Sequence, residues 1–208
     1  MAKAGPDKST TKGGSYHHGA LREALVDKAL EILASDGVDN ISLRSVAKAV
    51  GVSHTSTYRH FANKDGLLTA VATAGFLDLA AEIEEAYGTA ATLQEQRLET
   101  AVAYCRFACA NPNLYKLMFS SFLKDKDGEE ALNNAMNETF RRCEQLGRQD
   151  AEARGAGAEQ QGLAGVAAWV VVHGAASLAI EGILEKAASG NVERDRLIRR
   201  VLQSLYEI

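Results

Sequence analysis

The stretch from Leu163 to Leu184 constrains the fold most. It is apolar nearly all round, and small residues interrupt it at Gly165, Gly174, Ala175, Ala176 and Gly182. A helix that is apolar on every face must be buried, in a core or in an interface. The same helical period recurs elsewhere. Leu21, Leu25, Ala29, Ile32 and Leu33 step by three and four. So do Leu67, Leu68, Val71, Ala72, Phe76, Leu79 and Ile83, and near the C-terminus Leu197, Ile198, Val201, Leu202 and Leu205. No segment alternates as a strand does, and only Pro6 and Pro112 break 208 residues. The expected fold is all-α, with about nine helices.

Composition narrows the class. With 46% hydrophobic and 24% charged residues, wholesale disorder is excluded. The chain is long enough to need no disulfide or metal staples. No apolar run reaches ~18 residues without a Gly, His or charge, so no membrane span is expected. The first residues lack the apolar core of a secretory signal, and a cytoplasmic location is expected. Three cysteines, Cys105, Cys109 and Cys143, have no scaffold-like spacing and read as reduced thiols. A net charge of −4 argues against nucleic-acid binding over the whole chain. The charge is uneven, however. Residues 1–65 carry nine Lys/Arg against seven Asp/Glu, and residues 66–208 carry fourteen against twenty. That pattern is compatible with DNA contact at one end.

Residues 1–18 read as a mobile basic arm, with Lys3, Lys8 and Lys12 and no apolar period. The first helix then runs to Gly37, expected as a left-handed cap. Ser42 can cap a helix over 43–50, Ser53 a second over 54–61, and Asn63 a fourth helix that ends near Gly88. Rear helices are expected near 92–110, 112–122, 128–152, 160–187 and 193–206, with Pro112 in a first turn. This gives three regions: the arm, a front unit at 19–65 and a rear unit at 66–208.

The informative stretch is LRSVAKAVGVSHTSTYRHFANKDGLL, residues 43–68. Two short helices meet at a turn containing Gly51. Ala47 lies one turn earlier, where a small side chain lets them cross closely, and Val46, Val50 and Val52 supply the seam. This is the pattern of a helix-turn-helix, whose second helix enters the DNA major groove. A helical hairpin used only for packing would not start its second helix with exposed Ser, His, Thr, Ser and Thr.

Over residues 20–68 the chain resembles the DNA-binding domain of the TetR (tetracycline-repressor-like) family. Ser42-Leu43-Arg44, Ala47, Gly51-Val52-Ser53, Tyr58, Phe61, Lys64 and Leu67-Leu68 carry the likeness. Thr57 departs from it, standing where the family has a bulky aliphatic residue. YHHG at 16–19 and SHTSTYRHF at 53–61 resemble one subgroup, recognised by a Trp-x-x-x-His-Gly motif that Trp169–Gly174 fits. The resemblance implies a homodimer, in which helices near 160–187 and 193–206 form a four-helix bundle across a two-fold axis. It also implies a transcriptional repressor on double-stranded DNA, at a palindromic operator, released by a small apolar effector. The alternative is a regulator of the same fold with no small-molecule ligand. No enzyme, cofactor or metal is expected: there is no nucleophile motif, phosphate loop or metal spacing.

Chemistry and resemblance together assign candidate residues. Tyr58 and Lys64 suit phosphates, with Ser42 and Arg44 beside them. Ser53 caps the recognition helix. His54, Thr55, Ser56 and His60 suit base edges, and Arg59 either base or phosphate. Adjacent His17 and His18 on the arm read as chance or DNA contact rather than metal ligands. Cys105 and Cys109, four apart, read as small core residues rather than ligands. Pairing Cys143 with His173 as catalytic groups has no motif behind it. The arginines at 194, 196, 199 and 200 read as a solvated face. Tyr104, Phe107, Tyr115, Met118, Phe119 and Phe122 cluster around Pro112 as pocket wall or core. Trp169 and His173, four apart, are either a ligand pair or core and dimer packing.

Overall fold

The computed structural model describes residues 14–126, 129–188 and 193–206. They form ten α-helices: α1 (Gly14–Asp36), α2 (Leu43–Val50), α3 (His54–Thr57), α4 (Lys64–Thr89), α5 (Leu93–Ala110), α6 (Pro112–Met118), α7 (Glu130–Ala153), α8 (Ala158–Ile180), α9 (Ile183–Ala187) and α10 (Arg194–Tyr206). Short 3-10 turns lie at Val38–Asn40 and Ser121–Lys126. No strand occurs among the described residues, and the all-α expectation holds.

Several boundaries differ from expectation. Residues 1–13 of the arm lie outside the described residues, while 14–18 are already α1, because no proline intervenes before its apolar face begins. The helix after Pro112 stops at Met118 and tightens to a 3-10 turn. The long helix expected over 160–187 is two helices: Gly182, at φ +65°, is left-handed and ends the right-handed run. Gly51 is a left-handed cap (φ +81°, ψ 27°), and the Gly51 and Val52 N–H groups both donate to the Ala47 carbonyl at 3.0 Å. Gly37 differs: its φ of +81° and ψ of 173° place it in a glycine-only extended region.

α1, α2 and α3 pack around Leu25, Ala29, Leu33, Ile41, Val46 and Phe61. α4 joins this unit to the rest. Leu67 and Val71 complete the front core, while Phe76, Leu79 and Ile83, all essentially without exposure, enter the rear core. There Thr139 Oγ1 of α7 donates to the Phe76 carbonyl at 2.8 Å. α7 and α8 cross at Gly147 and Gly165. A Cβ at Gly147 would stand 2.5 Å from the Ala164 carbonyl oxygen, so the crossing requires glycine there.

α8 is buried on one side only. Val172, Ala175, Ala176 and Ala179 face the core, while Leu163, Val166, Val170 and Leu178 are 64, 52, 57 and 44% exposed. By length and composition both α4 and α8 could cross a membrane, contrary to the expectation from unbroken runs, since single Gly and His residues hardly lower an average. α4 is mostly covered by its own chain. α8 is not.

Candidate functional site

The front site is set by three caps. Ser42 Oγ accepts the Ser45 N–H at 2.9 Å and Ser45 Oγ accepts the Ser42 N–H at 2.9 Å, a reciprocal box that starts α2. Ser53 Oγ accepts the Ser56 N–H at 3.2 Å and starts α3 directly after the Gly51 turn. Asn63 Oδ1 accepts the Gly66 N–H at 2.9 Å and starts α4. α3 itself is a single turn, shorter than the 54–61 expected, because the chain turns at Tyr58–His60 before Phe61 plugs the core.

This short element leaves Ser53, His54, Thr55, Tyr58 and Arg59 exposed, with Ser56 and His60 half-buried. Thr57 is fully buried, and its hydroxyl donates to the His54 carbonyl at 2.7 Å, so the small residue satisfies its own polar group. Tyr58 is 51% exposed and meets the His54 ring edge-on at 4.9 Å. Arg44 is exposed on α2. Lys64 Nζ donates to the Val38 carbonyl at 2.9 Å, tying the start of α4 to the α1–α2 connection.

The rear site is aromatic. Tyr115 Oη lies 2.7 Å from His173 Nδ1, and Tyr104 Oη lies 3.1 Å from both groups. Burial holds the His173 pKa below its ordinary value and pushes both tyrosine hydroxyls upward. Phe119 meets His173 edge-on at 4.6 Å, and Trp169 lies 5.4 Å from it. Trp169 Nε1 is buried without a hydrogen-bond partner. Phe140 of α7 closes the group, 5.0 Å from Trp169; its place on a polar helix gave no sequence signal.

Beside these rings a cavity of about 280 Å³ opens between α6 and α8, lined by Tyr115, Lys116, Phe119, His173, Ser177 and Ile180, with Glu181. Of the expected pocket residues, Tyr115, Phe119 and His173 border it. Tyr104 and Trp169 back it through His173. Phe107 and Met118 are core residues instead, buried at 3 and 2% exposure, and Phe122 packs half-buried against the core. Sequence reasoning missed Ser177 and Ile180, although they follow His173 at helical steps of four and seven. It also missed Asn113 of α6, whose Nδ2 donates to the Leu33 carbonyl at the end of α1 at 2.9 Å. That bond links the wall of the cavity to the front unit.

The cysteines are not a site. Burial pushes the Cys105 and Cys143 thiols up to about 12, and Cys105 Sγ points to the Val172 carbonyl at 3.7 Å. Among the described residues no group of three or more His, Cys, Asp or Glu could hold a metal.

Residues 25–71 match the family described as bacterial regulatory proteins, tetR family, and residues 98–205 match the tetracyclin repressor-like C-terminal domain. The chain is 39% identical to the class D tetracycline repressor of Escherichia coli over 51 residues, 24% of this chain and 23% of that protein. It therefore spans about a quarter of the length of that relative. A protein of unknown function from Rhodococcus sp. RHA1 is similar over 93% of this chain and 97% of its own, at 29% identity and a TM-score of 0.75. The transcriptional regulator FadR of Bacillus subtilis, solved with stearoyl-CoA, shares the fold at 16% identity, covering 88% of this chain and 96% of its own, with a TM-score of 0.65.

Proposed function

The chain belongs to the tetR family of DNA-binding bacterial regulators, and on that premise we propose that it is a homodimeric repressor released from a palindromic operator by a small molecule. The observation that carries the DNA half is the one-turn α3, capped and raised on the Gly51 turn, with polar side chains left in solvent. Residues 19–65 form the DNA-binding unit and 66–208 the effector and dimer unit. His54, Thr55, Ser56 and His60 read base edges; Tyr58, Lys64, Ser42, Arg44 and Arg59 hold the backbone. Ser53 fixes the start of α3.

The uncovered stripe Leu163, Val166, Val170 and Leu178 supports self-association through α8, with α10, whose Leu205 is 46% exposed, alongside it. Apolar side chains at this spacing on one helix face suit a second copy of the same face. Two recognition elements related by a two-fold axis then meet major grooves ~34–36 Å apart. The Trp169–Gly174 motif supports membership of the Trp-x-x-x-His-Gly subgroup. The cavity beside His173 supports an effector, whereas a solid rear unit would have favoured control without a ligand. A relative of the same fold, solved in complex with stearoyl-CoA, supports an effector role for a protein of this shape. The effector need only prefer one of two arrangements of α4 to shift DNA affinity.

Selection from a random duplex library tests this. The expected result is an enriched palindrome with half-sites one helical turn apart. Lys64→Ala should weaken binding to every sequence and lower the salt slope by ~1, while Thr55→Ala should change which sequence is preferred. Binding without sequence enrichment would remove the repressor assignment.

A further inference from the structure

We infer that the α6–α8 cavity takes a compact, uncharged, flat molecule that carries a hydrogen-bond acceptor, an aromatic ketone being the simplest example. This rests on the effector role proposed above and specifies its chemistry. Size comes first: about 280 Å³ is at the lower edge of small-molecule pockets, which run from roughly 300 Å³ upward. A long acyl chain with a nucleotide head exceeds that volume. Shape comes second. Tyr115 and Phe119 lie 4.7 Å apart, and Tyr115 and His173 are stacked at 5.5 Å, so one wall is a continuous set of rings. Such a wall favours a flat apolar partner.

Charge comes third. Lys116 Nζ and Glu181 Oε1 pair at 2.8 Å across the cavity, α6 to the end of α8. The two charges at the cavity therefore cancel, and it offers a charged ligand no unpaired counter-ion. Proton counting gives the last term. Tyr104 Oη, Tyr115 Oη and His173 Nδ1 form a triangle with edges of 3.1, 2.7 and 3.1 Å. Two hydroxyl protons are satisfied when Tyr104 donates to Tyr115 and Tyr115 donates to Nδ1. With Nδ1 as that acceptor, the neutral ring carries its proton on Nε2. With the Ser177 hydroxyl one turn further along α8, it gives the cavity donors that require an acceptor on the ligand.

Trp169 is the chain's one tryptophan and touches His173, so its fluorescence reports occupancy. The full-length protein should be titrated with acetophenone, 1-tetralone, benzoate and stearoyl-CoA, with binding confirmed by calorimetry. At least one of the two ketones should bind saturably, and benzoate and stearoyl-CoA about tenfold more weakly or not at all. Ser177→Phe, which fills the cavity from its exposed side, should abolish the ketone signal at unchanged melting temperature. His173→Phe should weaken it about tenfold if it folds; Ser177→Phe serves where it does not. Failure of both ketones, equal binding of benzoate or stearoyl-CoA, or survival of the signal in Ser177→Phe would each overturn the assignment. A shift of Ser177→Phe from dimer to monomer would overturn it too, by making the groove part of a subunit contact. Operator affinity separates the two layers. A ketone that binds but leaves operator affinity unchanged keeps the ligand class and removes the release mechanism. A charged or long-chain compound that releases the operator does the reverse.

Discussion

α4 and α8 are alike in composition and opposite in fate. Both are long and apolar enough to be mistaken for membrane spans. α4 hides its apolar residues twice over, in the front core with Leu67 and Val71 and in the rear core with Phe76, Leu79 and Ile83. α8 spends its small residues and Val172 on the α7 crossing and the rear core, and leaves Leu163, Val166, Val170 and Leu178 outside. Apolarity states that a surface must be covered; it does not state by what. The difference lies in neighbours, since α4 passes between two units and α8 lies at the margin of one.

The sharpest way to break the contrast is at the buried side of α8. Gly147→Val should prevent the α7–α8 crossing, because even a methyl group would collide with the Ala164 carbonyl. Loss of the cooperative unfolding transition, or its displacement by more than about 3 kcal/mol, is the expected outcome in urea. The next test is at the outer side. Val170→Asp should weaken the proposed dimer by about a hundredfold in sedimentation, some 2.7 kcal/mol, without unfolding the monomer. Leu77→Asp on α4, at an equally exposed position of 52%, should leave association unchanged. Equal effects of the two would mean that the α8 stripe is ordinary surface.

Smaller effects sharpen the link between the two units. Asn113→Ala removes the bond from α6 to the Leu33 carbonyl and should cost about 1 kcal/mol of stability. It should also shrink the effect of a ligand on operator affinity more than it changes that affinity itself. The smallest signal is in pH. Burial lowers the His173 pKa from its ordinary 6.5, so the unfolded chain takes up that proton first as pH falls. The unfolded state then holds more protons, and stability drops as pH falls below 6.5, having been fully present above it. Urea midpoints at pH 7.5 and 5.5 should differ less in His173→Gln than in the parent.

Much of this was readable in the sequence because local physics decides it. The Ser42, Ser53 and Asn63 caps and the Gly51 turn need only neighbouring residues, and each stands where it was expected. The helical period gave the all-α class and the buried faces of α1, α4 and α10. What stayed hidden depends on distant partners. Asn113 meets Leu33 across 80 positions, Lys64 meets Val38 across 26, and Phe140 of α7 reaches Trp169 across 29. Gly182 was visible as a small residue in an apolar run, but nothing local tells a close-packing glycine from a left-handed one. Thr57 reads as a weak core contact until its hydroxyl finds the His54 carbonyl.

The buried thiols turn the rear unit into its own stopwatch. With Cys105 and Cys143 held at about 12, almost no thiolate exists at neutral pH, and both sulfurs are enclosed between α5, α7 and α8. Alkylation can proceed only during moments when those helices part, so its rate counts openings rather than reactivity. Cys109, half-buried near the end of α5, should be labelled first. The order and spacing of the three labelling times would chart how far inward each fluctuation travels, and an occupied cavity should lengthen the two slower ones most.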